Sequence, residues 1–158
     1  MIINQKFDCF DFKVVQEEIF DFIRSPRKVD YFVSTRQSGV TYGYLNFIKE
    51  YMKSKIVPYG NILVCKTKQS QSIDLCDSFL KILEEDGSHY FRIQRFPRGD
   101  IVFNGGKNYI RFASGINEKC YYPRNHFEYV FIDDFSYNPI KVEHALSVAN
   151  KVRTFDTY

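Results

Sequence analysis

The run Val29-Asp30-Tyr31-Phe32-Val33-Ser34-Thr35-Arg36-Gln37-Ser38-Gly39-Val40-Thr41-Tyr42 decides how the rest of the sequence is read. Val29 to Val33 is a short apolar run of strand type. Ser34 to Thr41 is small and polar, and it carries a glycine. From about Tyr42 to Lys53, the apolar positions Tyr44, Leu45, Phe47, Ile48 and Tyr51 recur at the period of a helix with one buried face. A strand, a small-residue loop and a helix in that order leave several backbone N–H groups exposed at the helix start.

The same logic extends in both directions. Upstream, Phe12 to Ile23 has helical spacing, with Phe12, Val15, Ile19, Phe20, Phe22 and Ile23 on one side, and Ser25-Pro26 ends it. Downstream, Pro58-Tyr59-Gly60 introduces the strand run Asn61-Ile62-Leu63-Val64-Cys65. After the polar stretch Lys66 to Ser72, a helix carries Ile73, Leu75, Cys76, Phe79, Leu80, Ile82 and Leu83, and Asp86-Gly87 closes it. Ile101-Val102-Phe103 and Tyr109-Ile110-Arg111-Phe112 flank Asn104-Gly105-Gly106-Lys107, a hairpin signal. Tyr129 to Ile132 is another apolar run and ends abruptly in Asp133-Asp134. A last helix is expected from near Pro139, with Val142, Ala145, Leu146, Val148 and Ala149 on its face and Asn150 as its cap. Strands alternating with helices predict a three-layer α/β fold whose sheet is mainly parallel, with one inserted β-hairpin. Val29–Val33, Asn61–Cys65 and Tyr129–Ile132 are its expected buried parallel strands. Val152 to Asp156 reads either as a short strand between those of Val33 and Ile132 or as an extension of the last helix.

Composition narrows the classes. The 158 residues suit one domain, with 44% hydrophobic and 18% aromatic residues, which is globular rather than disordered. Lys and Arg exceed Asp and Glu by 22 to 19, a net charge of +3 that tolerates a polyanion without announcing one. No apolar run is long enough to span a membrane, and Met1 to Asp8 has no secretory pattern, so a cytoplasmic setting is expected. Cys9, Cys65, Cys76 and Cys120 are scattered, which argues against a zinc site or a disulfide framework. Two basic sets, Arg92 with Arg95 and Arg98, and Lys53 with Lys55, Lys66 and Lys68, fit a solvated face better than a nucleic-acid surface. Glu84-Glu85-Asp86 reads as an exposed helix end.

Two features carry chemistry. Aligned on G-x-x-x-x-G-K-[ST], Gly39 is the second glycine and Thr41 the hydroxyl residue, while Ser34 and Val40 replace the first glycine and the lysine. Such a loop cradles phosphate on backbone amides. Asp133-Asp134 closes an apolar strand, and in open parallel sheets ligands bind beyond the carboxyl ends of the strands, where both features fall. One carboxylate associated with Mg²⁺ and a second orienting a water is chemistry suited to that place.

Val33 to Thr41, with its Arg36-Gln37-Ser38-Gly39, resembles the deviant Walker A loop of viral terminase large subunits. Ile62 to Thr67 resembles the second strand of that family, Asn104-Gly105-Gly106 its glycine-containing hairpin, and Tyr129 to Asp134 its Walker B strand. The resemblance spans roughly residues 10–150 and implies a RecA-like P-loop NTPase fold, ATP and Mg²⁺ as cofactors, and double-stranded DNA or a packaging or host protein as partner. It implies that Thr41 and Asp133 serve the metal. It also implies that Gln37, Ser38, Gly39, Val40, Thr41 and Tyr42 wrap the phosphates, that Arg36 stabilises the γ-phosphate, that Asp134 takes the place of the catalytic glutamate, and that Gln16 matches an adenine-contacting glutamine. Three departures weaken the motor reading. Val40 removes the loop lysine, Asp134 is one methylene shorter than Glu, and residues 1–158 form a single domain without the coupling motif or a nuclease domain. The expectation is a terminase-like nucleotide-binding domain with weakened or absent hydrolysis, or alternatively an inactive interaction or regulatory module built on that fold.

Overall fold

In the computed structural model, residues 12–35, 39–54, 60–86, 100–103, 108–114 and 126–157 are described. Their elements are α1 (Phe12–Ile23), β1 (Val29–Ser34), α2 (Val40–Lys53), β2 (Asn61–Cys65), α3 (Gln69–Glu85), β3 (Asp100–Phe103), β4 (Asn108–Ala113), β5 (Phe127–Ile132), α4 (Val142–Leu146) and β6 (Ala149–Thr157), with a 3₁₀ turn at Phe135–Tyr137. The six strands form one sheet in the order β1-β6-β5-β2-β4-β3. Five are mutually parallel, and β3 closes an antiparallel hairpin with β4, in which Ile101 pairs with Ile110.

Chain direction explains the layers. The connections from β1 to β2 and from β2 to β4 both advance across the sheet in one sense, whereas β5 to β6 steps back. Because parallel crossovers are right-handed, opposite senses put the intervening helices on opposite faces. One face accordingly carries Ile19 and Ile23 of α1, Tyr44, Phe47 and Ile48 of α2, and Leu75, Phe79 and Leu83 of α3 against Ile62, Val64, Phe112, Phe131 and Phe155. The other carries Ala145 and Val148 against Leu63, Cys65, Val130, Ile132 and Val152. α1 reaches α2 closely: a Cβ on Gly43 would lie 2.3 Å from Ile19 Cδ1, so any larger residue there would push the end of the Ile19 side chain aside.

The alternatives left open for the C-terminus resolve in favour of the strand. β6 is an interior strand, paired with β1 at Val29↔Val152 through Ser34↔Thr157 and with β5 at Val130↔Val152 through Ile132↔Thr154. An interior gap at that place would have left two rows of buried amides and carbonyls without partners. The expected helix to Ala149 is corrected: α4 ends at Leu146, Ser147 and Val148 turn the chain, and Asn150 lies in β6 rather than at a helix cap. Ala145, Val148, Ala149 and Val152 all face one apolar cluster, so a helix, a tight turn and a strand together reproduce the spacing of one longer helix.

Two further boundaries move. β1 is an edge strand, not one buried on both faces, and Tyr31 is 54% exposed. α3 starts at Gln69, earlier than its apolar positions suggested, where Gln71 Oε1 accepts the Lys68 backbone N–H at 3.0 Å. Asp86, at its far end, is not a free surface carboxylate, since it pairs with Lys49 at 3.3 Å and Lys53 at 3.1 Å and ties α3 to α2.

The connection from α1 to β1 is held from β6. Arg153 is fully buried, and its guanidinium donates to the carbonyls of Ile23 (3.1 Å), Ser25 (2.7 Å), Arg27 (2.9 Å), Lys28 (3.4 Å) and Val152 (2.9 Å). Burial lowers its pKa from the usual arginine value. A fixed five-donor fork matched to carbonyl oxygens keeps a buried cation solvated by protein.

Candidate site at the carboxyl ends of β2 and β5

Adjacent strands β5 and β2 send their following segments to opposite faces of the sheet, which opens a crevice beyond their carboxyl ends. Lys66 follows β2 there and Asp133 follows β5, with the Asp133 N–H donating to the Cys65 carbonyl at 3.0 Å. Lys66 Nζ lies 3.0 Å from Asp133 Oδ2 and 3.2 Å from Asp134 Oδ2. Its side chain is 15% exposed, so the ion pair is sheltered yet within reach of solvent.

The start of α2 meets this pair. Gly39 caps the helix with φ 82°, a left-handed conformation that favours glycine, and its carbonyl accepts the Gly43 N–H. One turn on, fully buried Tyr44 packs against Phe155 and Phe131 and donates its hydroxyl to Asp133 Oδ2 at 2.7 Å. Burial first, then the Asp133 carboxylate, hold the Tyr44 phenol well above the usual tyrosine pKa. The Thr41 side chain acts in the opposite sense. Tyr44, Asp133, Asp134 and Lys66 therefore form one connected polar group, with Thr41 one turn before Tyr44 on α2.

Asp134 has φ 50° and ψ 49°, the one positive φ outside glycine among the described residues. Such a backbone is uncommon for a residue with a side chain, and aspartate tolerates it better than most. Its N–H donates to Asp133 Oδ1 at 2.9 Å and its carbonyl accepts from Tyr137 at 2.9 Å, which hold the turn. Asn138 Nδ2 reaches the Asp133 carbonyl at 3.2 Å.

Of the residues singled out in the sequence, Thr41, Asp133 and Asp134 converge. Gly39 shapes the entry to α2, Val40 packs against the edge of the helical-face core, and Tyr42 is exposed on the first turn. Gln16 lies half-buried on α1, one turn before the Ile19 that meets α2. Arg36, Gln37 and Ser38 lie outside the described residues, as do Arg92, Arg95, Arg98, Lys55 and the hairpin tip Asn104-Gly105-Gly106. Two residues of the site were read otherwise in the sequence. Lys66 was placed on a solvated face and is instead the cation of the crevice. Tyr44 was counted as core, which its ring is; a hydroxyl three residues after Thr41 on the same helix face was the available signal.

The donor set can be weighed against Mg²⁺. Among the described residues no group of three or more His, Cys, Asp or Glu side chains could enclose a metal. Mg²⁺ keeps much of its water and binds through one or two carboxylates together with substrate phosphates. Asp133 Oδ1 and the exposed Thr41 hydroxyl are of the right kind. Among the described residues no helix is long and apolar enough to cross a membrane.

No protein-family model matches the sequence, and no curated protein matches it. Solved structures do match, and the fold the chain shares with them is that of phage large terminases. In particular, it is similar to the large terminase from a thermophilic bacteriophage, with a TM-score of 0.64 at 16% identity over 89% of this chain. Against the same terminase in complex with ADP the TM-score is 0.57, at 13% identity over 90% of this chain. The chain spans 38% and 37% of the length of those two structures.

Proposed function

We infer that the chain is a terminase-like nucleotide-binding domain that takes ATP or ADP with Mg²⁺ at the crevice beyond β2 and β5. The observation that carries this reading is that Tyr44, one turn into α2 from Thr41, donates its hydroxyl to Asp133 and so ties the start of the helix to the end of β5. Those are the two positions from which a helix N-terminus and a strand-end carboxylate serve a phosphate-bound metal. The ADP held by the thermophilic phage's terminase, at low identity to this chain, supports the ligand class. In this reading Gly39 to Tyr42, with Arg36, Gln37 and Ser38, surround the phosphates, Gln16 faces the base, and Thr41 and Asp133 hold Mg²⁺. The ion would neutralise phosphate charge.

Hydrolysis is slow or absent in this account. Val40 packs on the core where the motif has a lysine, and the Asp134 carboxylate bonds to Lys66 rather than standing free for a water. Those same two observations favour a second reading, in which the domain binds nucleotide, or a DNA or packaging-protein partner, without turning ATP over. Thermal denaturation with and without Mg·ADP tests the common part. Millimolar Mg·ADP raises the melting temperature of the wild-type chain and leaves Thr41→Val unmoved, because only a ligand of the folded state stabilises it. No shift in the wild type counts against nucleotide binding. Release of phosphate from ATP separates the two readings.

A further inference from the structure

We propose that Lys66 is the polyphosphate-binding cation of this chain, supplied from the end of β2 in place of a lysine at position 40. This rests on the nucleotide-binding reading above. Lysine carries three N–H donors and no acceptor. Lys66 directs two donors at Asp133 and Asp134, and a third remains for an anionic oxygen arriving at the 15% exposed opening of the crevice.

The carboxylate inventory points the same way. Asp133 Oδ2 already accepts from Tyr44 and from Lys66, and Oδ1 from the Asp134 N–H, which leaves about one lone pair of its four open. The crevice without Lys66 would hold two carboxylates and no cation among the described residues, and it would repel a polyphosphate. With Lys66 in place, an ammonium sits on the strand-end acids, and Tyr44 ties Asp133 to the α2 helix whose N-terminus suits phosphate oxygens. Position 40 supplies no such charge, because it carries a valine.

Calorimetric titration of Mg·ADP, Mg·pyrophosphate and adenosine into the full chain tests this. Lys66→Met weakens ADP and pyrophosphate roughly 10- to 150-fold, the worth of one charge-assisted hydrogen bond, and leaves any adenosine binding unchanged. The double variant Val40→Lys with Lys66→Met regains at least about tenfold of the loss, because the ammonium returns to the motif position. Should Lys66→Met fail to fold, Asp134→Asn is compared with Asp134→Asn plus Lys66→Met, which removes the ion pair's second member and shows the same loss. Wild-type binding with an unchanged dissociation constant in the Lys66 variants overturns the role of Lys66 and leaves the nucleotide reading standing. Absence of binding by the wild-type chain overturns both.

Discussion

Replacing Arg153 with methionine probes the interior strand that completes the sheet. The guanidinium bonds to five carbonyls, and these are not equal. Arg27 and Lys28 are exposed and Ser25 is half-buried, so water can take over their carbonyls. Ile23 is fully buried, and depriving its carbonyl of a donor costs about 1–3 kcal/mol, whereas the Val152 carbonyl stays in the β1–β6 ladder. Methionine recovers part of this, since it carries no charge to desolvate at a fully buried position. The net is a loss of about 1–3 kcal/mol, a large share of the ~5–15 kcal/mol that holds an ordinary domain together. In urea the midpoint falls by roughly 0.5–1.5 M at an unchanged slope. Arg24→Met is the control: that arginine is exposed and lies over the Phe20 and Phe47 rings at 5.4 and 5.8 Å, a contact worth about 0.5–1 kcal/mol. Equal midpoints for the two variants would refute the claim that Arg153 fastens the α1–β1 connection to β6.

Two further outcomes follow from the same structure. A chain ending at Lys151 loses the cooperative thermal transition followed by circular dichroism, because β1 and β5 then face a missing central strand; a transition of unchanged midpoint contradicts the interior placement of β6. Stability falls as pH rises through about 10: burial raises the pKa of Tyr44, Tyr51 and Tyr129, so the unfolded chain loses those protons first, by up to about 1.4 kcal/mol per pH unit for each tyrosine. Lys66, raised by its carboxylates, contributes with the same sign, and urea midpoints near pH 8 and pH 11 with tyrosinate absorbance check this.

The legible parts of this fold are those with a simple period or a continuous apolar run. Asn61–Cys65 is buried on both faces and is recovered to the residue, as is the pairing of the hairpin around residues 104–107. The C-terminus was harder, because Ala145, Val148, Ala149 and Val152 point into one cluster from three kinds of local structure. Only the need to fill the sheet between β1 and β5 favoured the strand. Thr41, Asp133 and Asp134 were found by motif position. Lys66 was not, because a lysine after a strand followed by polar residues has the composition of a solvated turn. Its role depends on β5 lying beside β2, a pairing between residues far apart in sequence. Tyr44 is hidden for the opposite reason: an aromatic at a core position gives no sign that its hydroxyl meets a carboxylate across the sheet end.

The central claim is that the strand-end carboxylate and the start of α2 form one nucleotide site, and its most direct test is calorimetric titration of Mg·ATP into the 158-residue chain beside its Asp133→Asn variant. The account predicts saturable one-to-one binding by the wild type, complete below about 1 mM ligand, and at least about tenfold weaker binding by the variant, whose amide keeps the size of the side chain and removes its charge. A wild-type chain that takes up no Mg·ATP at that concentration, or a variant that binds it equally well, would contradict the account.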